Sequence, residues 1–534
     1  MTGADGVGAG ELPLEIARRS IRGSLTLVAA NLGSAGINTL TLILVSRLLG
    51  PAGYGVYSLA FVIPNLLQLF VGFGVTTSII RYSAYYSSIG RPDEAQRFTK
   101  NAILFLLLFG LIMTSLSFAL SGPLSQLILR REELGPYVEL ASFNVFGATA
   151  LQAASSAAVG WNKMSLYSLV QVLQSIVKLA ASPLLIIVGF GVAGSAVGQV
   201  MSFIGAGIAG ILVIYSSDLR NSKAKPGPGF FSDVREMLSF GVPAYVGILF
   251  SSLATYYVAI VLASVATNTV FGYFQAAQNF IAPINLASSA LVSALFPAFT
   301  SMDATGGDPQ VGFRQAFKFV TYLLTPFAVF LATASGVLIP FFYGNSFATS
   351  AGYLTLLAVA YIPMAYGYGV YPALFNGFDR TRLTMLFYLS SSLVLGTAAT
   401  LFSVEGNLGV NGLIYAILLS NLVGWAMGAF FSRRYLGVFP DARAGVAVLV
   451  VCALSSAAVL VTPPVSNSGA LTFLSYLVIF FLVYITLTPL LGVINDKDVG
   501  LMRHTFGGLG LFGHLVELLL RYEEYLIGLG NRKR

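Results

Sequence analysis

The sequence predicts an all-α integral membrane protein with fourteen transmembrane helices: two six-helix lobes related as parallel repeats, followed by two C-terminal helices. Three observations predict it. Of the 534 residues 56% are apolar and 9% are charged, with mean hydropathy +0.81, whereas a soluble domain carries about a quarter charged residues. The apolar residues fall into runs near the roughly 20 that cross about 30 Å of hydrocarbon. Short motifs also recur at a constant offset, as an internal duplication requires.

In chain order the predicted spans are 24–47, 55–80, 99–121, 138–160, 165–188, 192–216, 240–264, 269–299, 318–343, 351–376, 381–403, 409–432, 442–462 and 470–493. Gly, Pro and charge mark the breaks, as at Leu49-Gly50-Pro51 and Thr462-Pro463-Pro464. Pro64 and Pro283 predict kinks in spans two and eight. The N-terminus lacks the basic-then-apolar order of a signal peptide and reads as a cytoplasmic lead-in. Of the 29 Lys and Arg, Arg47, Arg130 and Arg131 follow odd-numbered spans and Lys178 lies inside one. All the others fall at the termini or after even-numbered spans. Basic residues stay inside, which predicts a multi-pass protein of the cell membrane with both termini cytoplasmic. The net charge of +8 is then topological; it favours anionic lipid and gives no sign of nucleic-acid binding.

The duplication is read from three pairs. Tyr54-Gly55-Val56-Tyr57 matches Phe271-Gly272-Tyr273-Phe274 (272 − 55 = 217), and Gly160-Trp161-Asn162-Lys163 matches Gly377-Phe378-Asp379-Arg380 (377 − 160 = 217). Gly191-Val192-Ala193-Gly194 matches Gly409-Val410-Asn411-Gly412 at offset 218. An even number of helices per unit makes both halves enter the bilayer from the same side. The expected divisions are an N-terminal lobe 1–217, a basic linker 218–239, a C-terminal lobe 240–434, two extra spans in 435–493 and an amphipathic tail 494–534.

Several chemistries are excluded or disfavoured. Cys452 is the single cysteine, and His504 and His514 both fall in the tail. No intrachain disulfide, thiolate metal cage, metal site or cofactor is expected. Gly189 to Gly194 fits a dinucleotide fingerprint, but it joins two spans with no preceding strand and reads as a turn. Asp496-Lys497-Asp498 resembles a metal-holding acid pair, yet no loop is long enough for a nucleotide-sugar domain, so an enzyme is not expected. Of 21 acidic residues only Glu139 approaches a span. The tail alternates Leu515, Leu518, Leu519, Tyr522 and Leu526 with Glu517, Arg521 and Glu524, predicting an amphipathic helix on the cytoplasmic surface. Arg532-Lys533-Arg534 would touch headgroups there, and Glu11–Arg22 would lie similarly.

The segment Ser46-Arg47-Leu48-Leu49-Gly50-Pro51-Ala52-Gly53-Tyr54-Gly55, between spans one and two, resembles the polysaccharide biosynthesis/export flippases of the MOP superfamily. The resemblance extends through the twelve duplicated spans. It implies alternating access and export of a polyprenyl-linked sugar from the cytoplasmic leaflet by a monomer in contact with membrane lipid. The alternative is the multidrug and toxic compound extrusion branch, whose organic-cation antiporters share the architecture and often use membrane carboxylates; the lack of such acids weighs against it. A membrane glycosyltransferase ranks third.

Lys178 stands near the middle of span five on one face with Gln171 and Gln174. A mid-bilayer lysine costs about 2.5–3.5 kcal/mol on insertion scales, so it should face a wet cavity or a partner. The repeat-related position, 178 + 217, is Leu395, so the fold does not need a cation there. Lys178 is the candidate for the pyrophosphate or acidic sugar of a lipid-linked cargo, with Gln171 and Gln174 bonding sugar hydroxyls; bonding to backbone carbonyls or interfacial water is the competing role. The family architecture makes spans one, two, seven and eight facing walls. They offer Asn31 and Asn38, Asn65, Gln68 and Arg81, and Gln275, Gln278, Asn279 and Asn285. Gln68 and Asn285 differ by the repeat offset (285 − 68 = 217). Amides donate and accept, which suits sugars, but singly they more often join membrane helices. Tyr361, Tyr366, Tyr368 and Tyr371 of span ten could stack on sugars, with interface and packing roles favoured.

Overall fold

The computed structural model describes residues 11–219, 229–464, 469–506 and 510–531, and every regular element among them is helical. Residues 220–228 of the linker and Arg532-Lys533-Arg534 lie outside the described residues, as do the side chains of Glu11–Arg22, His504 and His514. The chain divides into two compact units, Met1–Gly272 and Tyr273–Arg534.

The first unit holds α1 (Glu11–Ala60), α2 (Val62–Gln68), α3 (Val75–Ser88), α4 (Pro92–Ala119), α5 (Ser121–Leu127), α6 (Gly135–Gly160), α7 (Met164–Leu185), α8 (Gly191–Ile214) and α9 (Phe230–Val265). Helix α10 (Asn268–Ala304) begins in it and continues into the second unit. That unit adds α11 (Pro309–Tyr343), α12 (Ser350–Pro363), α13 (Val370–Gly377), α14 (Thr381–Thr400), α15 (Gly409–Phe431), α16 (Ala442–Val461), α17 (Gly469–Leu490), α18 (Asp496–Phe506) and α19 (Gly510–Asn531). Ten stretches among the described residues are helices long and apolar enough to cross a membrane. Two of them, Ala30–Gln68 and Met164–Leu219, each cover parts of two predicted spans across a bend, at Gly50 and at Gly189.

Span two departs from a single helix. It is cut between α2 and α3 at residues 69–74, where Gly72 and Gly74 have φ of 87° and 79°. Pro64 sits in the first turn of α2, where its missing N–H leaves no bond unmade. Helix α10 runs continuously past Pro283 and Pro297.

The division after Gly272 falls later than the linker 218–239, because α9 packs with the first unit. The buried Asp233 of α9 takes the Arg97 Nε (3.2 Å) and the Asn101 Nδ2 (2.6 Å) from α4. The Ser78 hydroxyl of α3 donates to the Met237 carbonyl at 2.8 Å.

The duplication is written into the backbone of each unit. Asn162 and Asp379, 217 apart, both adopt left-handed φ, 55° and 53°, a region that Asn and Asp enter more readily than most side chains. The bond from Lys163 N to Ala158 O and that from Arg380 N to Phe375 O are both 2.7 Å. Gly191 and Gly409, 218 apart, open α8 and α15 with φ of 52° and 55°. The Gly189–Gly194 segment is therefore the predicted turn.

The tail is amphipathic, and one face of it packs against protein. Leu520 and Ile527 of α19 join Val448, Cys452, Tyr484 and Val493 in a buried cluster. Arg503 of α18 binds Glu517 and Glu524, at 3.0 and 2.8 Å. Leu518, Leu519, Tyr522 and Tyr525 remain exposed on the other side of α19. Burying one apolar stripe against α16 and α17 removes it from water as lipid would.

Candidate functional site

The best-defined polar seam lies in the first unit, where α7 meets α1 and α8. Positions 171, 174, 175, 178 and 182 share one face of α7. Gln174, Ser175, Lys178 and Ser182 are buried, whereas Leu169, Ile176 and Leu184 on other faces are 50–60% exposed. The lysine is therefore turned into protein and away from the apolar exterior, at 7% exposure. Lys178 forms no hydrogen bond or ion pair with any described residue.

The amides around it are occupied. Gln174 Nε2 donates to the Ser202 hydroxyl of α8 at 3.1 Å. Asn38 Nδ2 donates to the Ser175 hydroxyl at 2.9 Å and to the Ser34 carbonyl at 3.0 Å. The Tyr167 hydroxyl donates to Asn31 Oδ1 at 2.9 Å and accepts from Gln171 Nε2 at 3.2 Å. The Tyr57 hydroxyl donates to Gln199 Oε1. Four candidates, Asn31, Asn38, Gln171 and Gln174, thus tie α1, α7 and α8 together, which is the usual work of amides between membrane helices.

The remaining candidates fall in separate places. Gln68 Nε2 reaches the Thr149 hydroxyl of α6 at 3.3 Å, while its Oε1 has no partner. Arg81 is exposed and lays its guanidinium 4.1 Å from the Phe240 ring centroid of α9. In the second unit Asn279 Nδ2 donates to the Tyr343 hydroxyl at 3.1 Å. The Tyr361 hydroxyl lies beside Gln278 and Asn285, and Gln278 Oε1 is unpartnered. Asn65 and Gln275 are half-buried and form no side-chain hydrogen bond with described residues. Of the other tyrosines, Tyr368 bonds the Ser391 hydroxyl at 3.3 Å, Tyr366 packs on Phe317 and Trp425, and Tyr371 is fully buried. All three pack against neighbouring side chains, and the Tyr371 hydroxyl has no partner among the described residues.

Two features escaped the sequence reading. Gly55 and Gly272 cross within the first unit so tightly that a Cβ on Gly55 would lie 1.8 Å from the Asn268 carbonyl oxygen, and one on Gly272 would lie 2.0 Å from that of Pro51. The contact is reciprocal, since 268 − 51 and 272 − 55 are both 217. Beside it, Arg131 bonds the Asn268 side chain and the carbonyls of Ala263 and Ala266. A cation there complements the carbonyl-rich end of α9. The glycines were visible as a motif; that they touch required the fold. The second is Asn144 of α6, 4% exposed with Oδ1 unpartnered. Among the described residues no three His, Cys, Asp or Glu come together as metal ligands would.

A family profile described as polysaccharide biosynthesis protein matches residues 44–352. No curated protein matches the sequence. Among solved structures the chain is similar to the lipid II flippase MurJ in an inward closed conformation, at 16% identity and TM-score 0.70, covering 86% of this chain and 97% of that one. It is similar to an inward-facing multidrug resistance MATE family transporter of the MOP superfamily, at 18% identity and TM-score 0.61 over 76% and 94%. A MOP superfamily transporter from Pyrococcus furiosus, whose binding pocket is described as having reversed polarity, aligns at 18% identity and TM-score 0.52 over 78% and 95%. At these identities the likeness is one of fold.

Proposed function

The chain belongs to the polysaccharide biosynthesis protein family, and from that premise we propose that it carries a lipid-linked oligosaccharide or polysaccharide precursor from the cytoplasmic to the outer leaflet by alternating access. The observation that carries the reading is Lys178, a buried ammonium with no partner among the described residues, at a position where the second half of the repeat has Leu395. Keeping an unpaired cation at that depth costs free energy, and an anionic ligand would repay it. The pyrophosphate or acidic sugar of a polyprenyl-linked cargo is such a ligand, with its tail left in lipid.

Fourteen crossings with both termini in the cytoplasm, and two rocking lobes, complete this reading, which rests on the charge asymmetry of the loops and on the duplication. The amide oxygens of Gln68, Asn144 and Gln278 are buried acceptors without a partner among the described residues, and they could take sugar hydroxyls only in a state that uncovers them. The amides already engaged between α1, α7 and α8 serve the scaffold. A multidrug or organic-cation antiporter, which the fold also accommodates, is disfavoured because Lys178 would repel a cationic drug.

The test is translocation of a fluorescent polyprenyl-diphosphate sugar in proteoliposomes. Lys178→Gln should cut the rate at least tenfold with normal expression, and Lys178→Arg should retain most of it. Unchanged flipping by the Gln variant, or efflux of cationic dyes driven by pH or Na⁺, would overturn the reading.

A further inference from the structure

Helix α19 carries a carboxyl where a carboxyl is costly. Glu523 lies between Leu520 and Ile527 on the face that packs against α16 and α17, and it is 1% exposed. Its Oε1 accepts a hydrogen bond from the Tyr322 hydroxyl of α11 at 2.6 Å, and its Oε2 has no partner among the described residues. The neighbouring Thr488 hydroxyl donates instead to the Ile485 carbonyl at 3.2 Å, and the Tyr484 hydroxyl to the Tyr322 carbonyl at 2.9 Å. Cys452 is the remaining titratable group of this cluster among the described residues.

The described cations nearby are committed elsewhere. Lys318, one turn before Tyr322, is paired with Asp498 of α18. Arg503 holds Glu517 and Glu524, and Arg521 holds Glu517. A buried carboxylate beside only the Tyr322 and Thr488 hydroxyls, with no counter-charge among the described residues, favours its neutral form, and burial outweighs those hydroxyls and pushes Glu523 from 4.5 up to about 7.

We propose that Glu523 is a proton-binding site that latches the C-terminal helix to α11: the helix is docked while the carboxyl is neutral and loosens when it ionises. Undocked, the carboxyl meets water and titrates normally. The proton therefore binds the docked form more tightly. Docking is strongest below about pH 4.5, weakens as pH rises toward 7, and changes little above that. The latch stands independently of the transport reading.

Hydrogen exchange of the segment 517–528, in the full chain in lipid nanodiscs, tests it. Intrinsic exchange changes with pH, so the wild type is compared with Glu523→Gln at each pH. The rate ratio should be near one at pH 4 and rise on the order of a hundredfold at pH 8.5. A ratio of one at both values overturns the latch, as does an equal loosening of the Gln variant. If Glu523→Gln does not fold, Tyr322→Phe decides. Loss of the hydroxyl that stabilises the charged form should raise the midpoint of the transition, and an unmoved midpoint overturns the proposal.

Discussion

Helices α7 and α8 of the first unit and α14 and α15 of the second are repeat mates, and the way they differ separates scaffold from function. Gln174 and Ser202 correspond to Ser391 and Ser420 (391 − 174 = 217; 420 − 202 = 218). In the first pair the Gln174 amide bonds the Ser202 hydroxyl at 3.1 Å, and in the second the Ser420 hydroxyl bonds the Ser391 carbonyl at 2.8 Å. Different side chains thus hold the same junction, so a polar bridge at that level belongs to the fold. Four residues further along, the likeness stops. Lys178 is buried and has no partner among the described residues, where its mate is Leu395, half-buried. On the proposal that Lys178 meets the cargo, a residue present in one half alone and costly to keep answers to what the protein carries rather than to how it packs.

The largest effect should come from giving the first half the second half's residue. Lys178→Leu should reduce translocation at least tenfold. Thermal stability should hold or rise, since replacing a buried ionic group by hydrocarbon is often neutral or stabilising. A variant that unfolds instead would make the lysine structural and erase the contrast. The reciprocal change, Leu395→Lys, should destabilise by about 2.5–3.5 kcal/mol, the insertion cost of a central lysine. It is read as a lower melting temperature in detergent with little folded protein recovered. A well-behaved variant would mean that the second half already offers a polar niche.

The crossing of Gly55 and Gly272 tests the opposite expectation, equality. Each glycine faces the other's carbonyl four residues upstream, so Gly55→Ala and Gly272→Ala should destabilise alike, by about 1–3 kcal/mol as overpacking does. Unequal losses in thermal unfolding would show that the crossing is not symmetric in energy.

Much of this could be read from the chain because hydropathy and glycine placement are local signals. The αL positions at Asn162 and Asp379 and the glycine turns at Gly191 and Gly409 sit inside motifs that the offset of 217–218 had already paired. Lys178 stood out because a charge in an apolar run needs no partner to be noticed. Contacts between distant segments were hidden. The engagement of Asn31 by Tyr167, the burial of Asp233 against Arg97 and the seating of Glu523 under Tyr322 join residues more than 130 apart. The tail's packing was hidden for a physical reason: an apolar stripe is the same sequence pattern whether it meets lipid or another helix.

The smallest effect sharpens the comparison most, because it concerns residues that chemistry alone would put in a sugar site. Gln174 is buried, its Nε2 is spent on Ser202, and its Oε1 accepts from Ser175 at 3.4 Å. If this is the junction that Ser391 and Ser420 make in the other half, Gln174→Ser should be tolerated. Stability should fall by about 0.6 kcal/mol, the average for hydrogen bonds between membrane helices, and the translocation rate should stay within twofold. The measurement is paired: melting temperature and flipping on the same preparation. A large fall in flipping without a fall in stability would move Gln174 from the scaffold to the cargo side. It would also show that two adjacent turns of α7, rather than Lys178 alone, distinguish the first half from its repeat.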